Sequence, residues 1–197
     1  MMKKLLAVML SAALALSVAG CNKGPDKLQF QNTDLTGLSY AEKLSLTDHT
    51  GKPVTLDTYK GKVIAVFFGF TQCPEVCPTT LANMANVMQQ LGPQADQVQV
   101  LFVTLDPERD TQELLQQYVP GFDKRFVGLR GTPEQTAAAA KEFKVIYNKV
   151  PGKTPDSYTI EHTAATFVFD KNGKIRLYVR DKQDPAAIVH DLKLLLS

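Results

Sequence analysis

Val63-Ile64-Ala65-Val66-Phe67-Phe68-Gly69-Phe70-Thr71-Gln72-Cys73-Pro74-Glu75-Val76-Cys77-Pro78 is the stretch on which the reading of this chain turns. Its first six residues are apolar at every position and rich in β-branched and aromatic side chains, the pattern of a buried strand. After Cys77, the apolar residues Leu81, Met84, Ala85, Met88 and Leu91 recur at helical spacing. The two cysteines, at i and i+4 and each followed by proline, therefore fall in a strand-to-helix turn. Unpaired backbone N–H groups at a helix start favour negative charge and lower a thiol's pKa from about 8.5. The expectation is a pair of thiolates, able to attack disulfides or to bind a soft metal.

Far upstream, Lys3 and Lys4 precede an apolar segment, Leu5 to Ala19, that ends in Val18-Ala19-Gly20-Cys21. The segment is short of the roughly 20 residues a membrane span needs. A basic start, a brief apolar stretch and small residues before a cut describe a secretory signal. Cysteine directly after Ala-Gly resembles a bacterial lipobox, in which Cys21 becomes the lipidated first residue of the mature protein. The expected plan is a signal peptide over 1–20, a lipidated Cys21 and polar tether over 21–41, and one domain over 42–197. With Cys21 acylated, the three cysteines leave Cys73 and Cys77 as one pair in an oxidising compartment. Removing 1–20 takes away Lys3 and Lys4 and no acid, so the 22 basic and 20 acidic residues come into balance. Nothing in that balance suggests a nucleic-acid partner. The expected location is the bacterial cell envelope, lipid-anchored to a membrane and facing the periplasm or extracytoplasmic space.

Along the mature chain, Leu44 to Leu56 alternates around a turn and predicts a β-hairpin. Val98 to Leu105 is a second buried strand, stopping at Asp106-Pro107. Asp110, Thr111 and Glu113 then read as helix-capping residues, with Asp110 as the cap and Glu113 as its reciprocal partner. Phe126 to Leu129 predicts a short strand, and Thr132-Pro133-Glu134 opens a helix through Phe143. Tyr147 to Ser157, with Pro151, Gly152 and Pro155, reads as a loop. Thr166 to Phe169 and Lys174 to Val179 flank Asp170-Lys171-Asn172-Gly173, a hairpin signal. Asp184-Pro185 starts a last amphipathic helix to Leu196. This order is that of an α/β, thioredoxin-like fold, a central mixed sheet flanked by helices, with an added N-terminal β-hairpin.

Thioredoxins carry Cys-x-x-Cys, whereas this chain has Cys-x-x-x-Cys. At i, i+4 on a helical turn the two Cβ atoms lie about 5–6 Å apart. That suits two sulfurs on one metal, at bond lengths of about 2.3 Å if zinc–thiolate is the guide. It also suits a disulfide, so the spacing leaves both open. His162 discriminates. It stands just before the strand Thr166 to Phe169, where thioredoxin-like folds carry a cis-proline beside the cysteines. The proline position falls near Ala164, and no proline is present there. A histidine two residues earlier can face the sulfurs. Two thiolates and one imidazole form a soft ligand set suited to copper, Cu(I) or Cu(II), with zinc as the other metal of that class.

Three motifs in order, Phe68 to Pro78, Leu105-Asp106-Pro107-Glu108-Arg109-Asp110-Thr111, and His162-Thr163, resemble the Sco/SenC family. The resemblance covers the chain from about Leu44 to its end. It implies a membrane-tethered thioredoxin fold that binds copper through Cys73, Cys77 and His162. It also implies delivery of copper to the CuA site of cytochrome c oxidase subunit II, or reduction of the cysteines there. Another periplasmic copper chaperone and a thiol reductant are the further partners. Glu75 stands where the family often has Asp, and a lipid on Cys21 stands where many members have a transmembrane anchor.

Asp106, at the end of a strand on the edge where α/β sites are built, reads either as a residue tuning the metal ligands from behind or as a turn-forming Asp before Pro. His49 and His190 read as solvent-facing. The leading function is a copper metallochaperone; the alternative is a thiol–disulfide oxidoreductase with Cys73 or Cys77 as nucleophile. A peroxidase is a distant third, because the threonine and arginine pattern that supports a lone peroxidatic cysteine is not visible. Copper binding needs His162, whereas simple dithiol exchange does not.

Overall fold

The computed structural model describes residues 28–154 and 157–197. Ten strands are found among them: β1 (Thr33–Asp34), β2 (Ser45–Asp48), β3 (Pro53–Thr55), β4 (Val63–Gly69), β5 (Val98–Thr104), β6 (Val127–Arg130), β7 (Tyr147–Pro151), β8 (Tyr158–His162), β9 (Ala165–Phe169) and β10 (Ile175–Arg180). The α-helices are α1 (Val76–Leu91), α2 (Gln112–Tyr118), α3 (Pro133–Glu142) and α4 (Pro185–Leu196). Eight strands form one sheet in the order β1-β10-β9-β4-β5-β6-β2-β3, with β7 and β8 in a separate two-stranded ribbon.

β4, β5 and β6 run parallel, and α1 and α2 supply the crossovers that parallel neighbours require. β9 joins β4 antiparallel, so the sheet is mixed. Every residue of β4 and of β5 is buried, as strands covered on both faces require; β4 is apolar throughout, and β5 is apolar but for Gln99 and Thr104. Around them lies an aromatic cluster in which Phe143 packs against Phe68, Phe167 and Phe169, with ring centroids 5.0, 5.6 and 5.8 Å apart. α1 packs on α4.

The predicted hairpin over 44–56 is β2–β3, and its turn is tied by the Asp48 carboxylate, which accepts from Thr50 N, Thr50 Oγ1 and Lys52 N. β9 and β10 meet through Asp170 to Gly173, where Gly173 takes φ +73°, a conformation that favours glycine. α3 carries a capping box between Thr132 and Gln135 with Pro133 at its first position, and Asp184 caps α4.

Three expectations are corrected. The loop read over 147–157 opens with a strand: β7 takes Tyr147–Pro151 and pairs with β8 from Tyr147↔His162 to Pro151↔Tyr158. Its residues are mostly exposed, so no apolar alternation marks it, and Pro151 sits at a strand end where a missing N–H is tolerated. The helix after β5 is capped by Thr111, whose side chain accepts from Leu114 N, and not by Asp110, which is buried. The polar segment read as tether joins the fold before residue 41. β1 pairs with β10, and the buried Asp191 carboxylate accepts from Gln31 N, Asn32 N and Asn32 Nδ2. The signal peptide and Cys21 lie outside the described residues.

Candidate metal centre

β4 delivers the chain to the site and ends at Gly69, with Phe70 buried behind it. Cys73 lies in the following turn, where its N–H donates to Phe70 O at 3.3 Å. Cys77 is the second residue of α1 and fully buried, and its N–H donates to the Cys73 sulfur at 3.4 Å. That bond occupies one of the backbone donors a helix start leaves free. Gly69 permits this packing: a Cβ there would stand 2.8 Å from Cys77 Sγ and 2.8 Å from Phe102 Cε2.

His162, the last residue of β8, brings Nε2 to 3.6 Å from Cys77 Sγ. Its Nδ1 is 3.1 Å from the Thr163 carbonyl oxygen, which can only accept. The ring proton therefore sits on Nδ1, and Nε2 turns its lone pair toward the sulfur. Phe67 and Phe70 meet the imidazole edge-on, with centroids 6.2 and 6.0 Å away. Burial holds the imidazole below its ordinary pKa, against the opposing pull of the Thr163 bond and Asp181, so it is neutral near pH 7.

One donor atom from each of Cys73, Cys77 and His162 lies within 4.8 Å of the others, and both cysteines are free thiols. Two donors each about 2–2.3 Å from one ion stand no more than about 4.6 Å apart, so only a small adjustment closes this set on a single ion. The sulfur and imidazole donors suit a soft or borderline metal, and no carboxylate belongs to the cluster.

The expectation of two ready thiolates is corrected for Cys77. Burial among aromatic rings pushes its thiol up, the Cys73 and Asp110 charges add to that, and the backbone bond from Phe70 only partly offsets it. Desolvation outweighs the helix start. Cys77 therefore holds its proton at neutral pH and gives it up on coordination.

Asp106 is fully buried, and its hydrogen bonds run to residues outside this cluster. Thr104 Oγ1 accepts from its N–H at 2.9 Å, Tyr158 Oη donates to Oδ1 at 2.7 Å, and Arg109 Nε donates to Oδ2. Asp110 was read as a cap and is instead a brace, accepting from Thr71 N (3.0 Å), Thr71 Oγ1 (2.6 Å) and Thr104 Oγ1 (2.6 Å). Burial raises its pKa, against the three bonds that lower it. Thr71 lies 39 residues from Asp110 and Thr104 six, and no local pattern announces either contact. His49 is half-buried, its Nδ1 accepting from Gly128 N at 2.9 Å. His190 bonds Asp191.

Comparison with known proteins fits this geometry. Residues 33–197 match the SCO1/SenC family. The chain belongs to that family. A SCO2-like protein of Rickettsia felis is 34% identical over 149 residues, which are 75% of this chain and 73% of that protein. The structure of Bradyrhizobium japonicum ScoI with copper bound superposes with a TM-score of 0.71 at 39% identity, over 77% of this chain and 96% of that one. BsSco, a member of the Sco family of cytochrome c oxidase assembly proteins in which a disulfide switch has been identified, shares the fold. Its TM-score is 0.65 at 21% identity, over 86% of this chain and 98% of that one.

Proposed function

We propose that this chain is a copper metallochaperone of the bacterial cell envelope. It holds Cu(I) or Cu(II) through Cys73, Cys77 and His162 and passes the ion by ligand exchange to the CuA site of cytochrome c oxidase subunit II. The observation that carries this reading is the convergence of two sulfurs and a lone-pair-bearing Nε2 within 4.8 Å. Two thiolates suit Cu(I), and the imidazole adds the nitrogen that Cu(II) prefers. Copper bound by a relative 39% identical supports the choice of metal. A Sco protein's place among oxidase assembly proteins supports the partner. The lipidation pattern ending at Cys21 supports a position at a membrane face, and no helix among the described residues is long and apolar enough to cross a membrane. A copper donor and a thiol reductant in the same compartment complete the set of partners.

One observation favours a second reading, reduction of partner cysteines by thiol–disulfide exchange. Cys73 is the more exposed of the pair, within reach of a partner's disulfide, and its sulfur accepts the Cys77 backbone N–H. Copper titration of the reduced full-length protein and of His162→Ala separates the two. His162→Ala is expected to weaken Cu(II) binding far more than Cu(I) binding, because two thiolates hold Cu(I) unaided. Unchanged Cu(II) affinity and spectrum would put the copper site elsewhere and favour the redox reading.

A further inference from the structure

The ribbon β7–β8, which carries His162, shares no ladder with the main sheet. Two strands alone are marginal in water, so contacts outside the ribbon must fix where His162 points; Phe67 and Phe70 meet its ring and β9 begins at Ala165, which leaves the other end of β8 to be held. At the base of β8, Tyr158 donates its hydroxyl to Asp106 Oδ1 at 2.7 Å. Arg109 donates Nε to the same carboxylate and Nη1 to Tyr158 O at 2.9 Å, and its guanidinium lies 3.6 Å over the Tyr158 ring. Asp106 is wholly buried at the end of β5, next to the strand that delivers the cysteines. Its loop is tied to that strand through Leu105 N and Gly69 O, 2.7 Å apart. Four residues further along the same loop, Asp110 holds Thr71, two residues before Cys73. One loop therefore grips both ligand-bearing segments, the cysteine turn through Asp110 and the histidine ribbon through Asp106.

We propose that Tyr158, Asp106 and Arg109 are positioning residues that hold His162 in register with the two sulfurs, and so set the capacity of the site for Cu(II) as against Cu(I). The assignment rests on the three-ligand reading above. A ring stacked under a guanidinium and a buried, doubly used carboxylate restrict the base of β8 to one placement. His162 stands one strand length away, with its backbone fixed relative to that base by the Tyr147↔His162 pairing. The cysteines need no such clamp, because β4 and α1 hold them directly. Loss of the Tyr158 hydroxyl should thus move the imidazole and leave the sulfurs in place.

The test compares full-length wild type, Tyr158→Phe, Asp106→Asn and His162→Ala by Cu(I) and Cu(II) titration, with the thiolate-to-Cu(II) absorption recorded and apo stability measured alongside. Tyr158→Phe keeps the ring under Arg109, so it is the variant best able to stay folded. Its Cu(II) affinity is expected to fall about tenfold, as for other residues that orient metal ligands, with a shifted absorption band. Its Cu(I) affinity stays within about twofold, and Asp106→Asn behaves alike, since losing a ligand-orienting partner costs affinity only through the ligand it orients. Unchanged Cu(II) binding in both, while His162→Ala loses it, overturns the positioning role and leaves the ligand set standing. Equal losses of Cu(I) and Cu(II) also overturn it, because they report general loosening. Unchanged Cu(II) binding in His162→Ala overturns the ligand set itself, and the positioning role with it.

Discussion

The cysteine turn and the ribbon that carries His162 reach the same point in space by opposite means. The turn hangs between β4, buried at all its residues, and α1, whose inner face is buried through Leu81, Met84, Val87, Met88 and Leu91. The ribbon buries only Ile160 of β8 and no residue of β7; Tyr147, Tyr158 and the His162 ring pack on the core, and polar side chains hold its base. Burial of apolar surface dominates stability, so the two sulfurs inherit the rigidity of the core. The imidazole packs against Phe67 and Phe70, and the base of its strand depends on hydrogen bonds that are individually modest. On the proposed ligand set, a site assembled this way has two donors on the core and a third on a less buried ribbon, an arrangement suited to taking up a metal ion and releasing it again.

The widest contrast is in what side-chain truncation costs. Phe68, fully buried and packed against Phe143 and Phe167, is expected to cost about 3–5 kcal/mol when replaced by Ala, through lost transfer and the cavity left behind. Thr159, exposed on β8, is expected to cost about 0.5 kcal/mol or less on the same change. Denaturant unfolding of the two variants measures both. Comparable losses would mean that the ribbon is part of the cooperative core.

That contrast also explains what the sequence made legible. The runs 63–68 and 98–105, the Asp170–Gly173 turn and the Thr132-Pro133 start are local patterns with local causes, and each appears where it was expected. Cys73, Cys77 and His162 were legible because their residue types are scarce and chemically distinctive, and the structure brings their donor atoms together. The ribbon was not legible, since its exposed residues carry no period and the polar hold on its base comes from Asp106 and Arg109, about fifty positions away. Asp110 was misread for the same reason. Asp-Thr-x-Glu offers a cap at either of its first two residues, and only the folded contacts of Asp110 with Thr104 at the end of β5 and with the distant Thr71 decide which of them turns inward. The Cys77 thiol was expected to be acidic from its place on a helix. Its burial against Phe102 and Gly69 is a tertiary fact.

Gly69→Ala probes the rigid half alone. The new methyl would meet Cys77 Sγ and the Phe102 ring, both at 2.8 Å, and both are locked in the core. Overpacking of this kind costs about 1–3 kcal/mol. The expected outcome is a loss of stability in that range together with weaker Cu(I) binding, because the displaced atom is itself a proposed ligand. Unfolding and Cu(I) competition titration check the two parts. A Gly69→Ala protein of native stability and native Cu(I) affinity would show that the turn can yield as easily as the ribbon.

Proton release separates the two regions most finely. Cys77 has its pKa raised by burial, so its sulfur carries a proton at neutral pH that coordination must expel. His162 has its pKa lowered by burial, so its Nε2 is free near pH 7 and expels nothing. For a ligand protonated in the apo protein, each proton released strengthens apparent binding about tenfold per pH unit, and the sign is fixed: affinity rises with pH. Cu(I) affinity is therefore expected to climb by at least about tenfold per unit between about pH 6.5 and 8, the slope of one released proton. The slope should be the same in His162→Ala, because the proton comes from the cysteine side. Competition titration at several pH values measures it, and calorimetry in buffers of different ionisation enthalpy counts the protons directly. A flat profile would mean that Cys77 is already a thiolate, with the helix start prevailing over burial. A slope that vanishes with His162 would place the proton on the ribbon instead of the core.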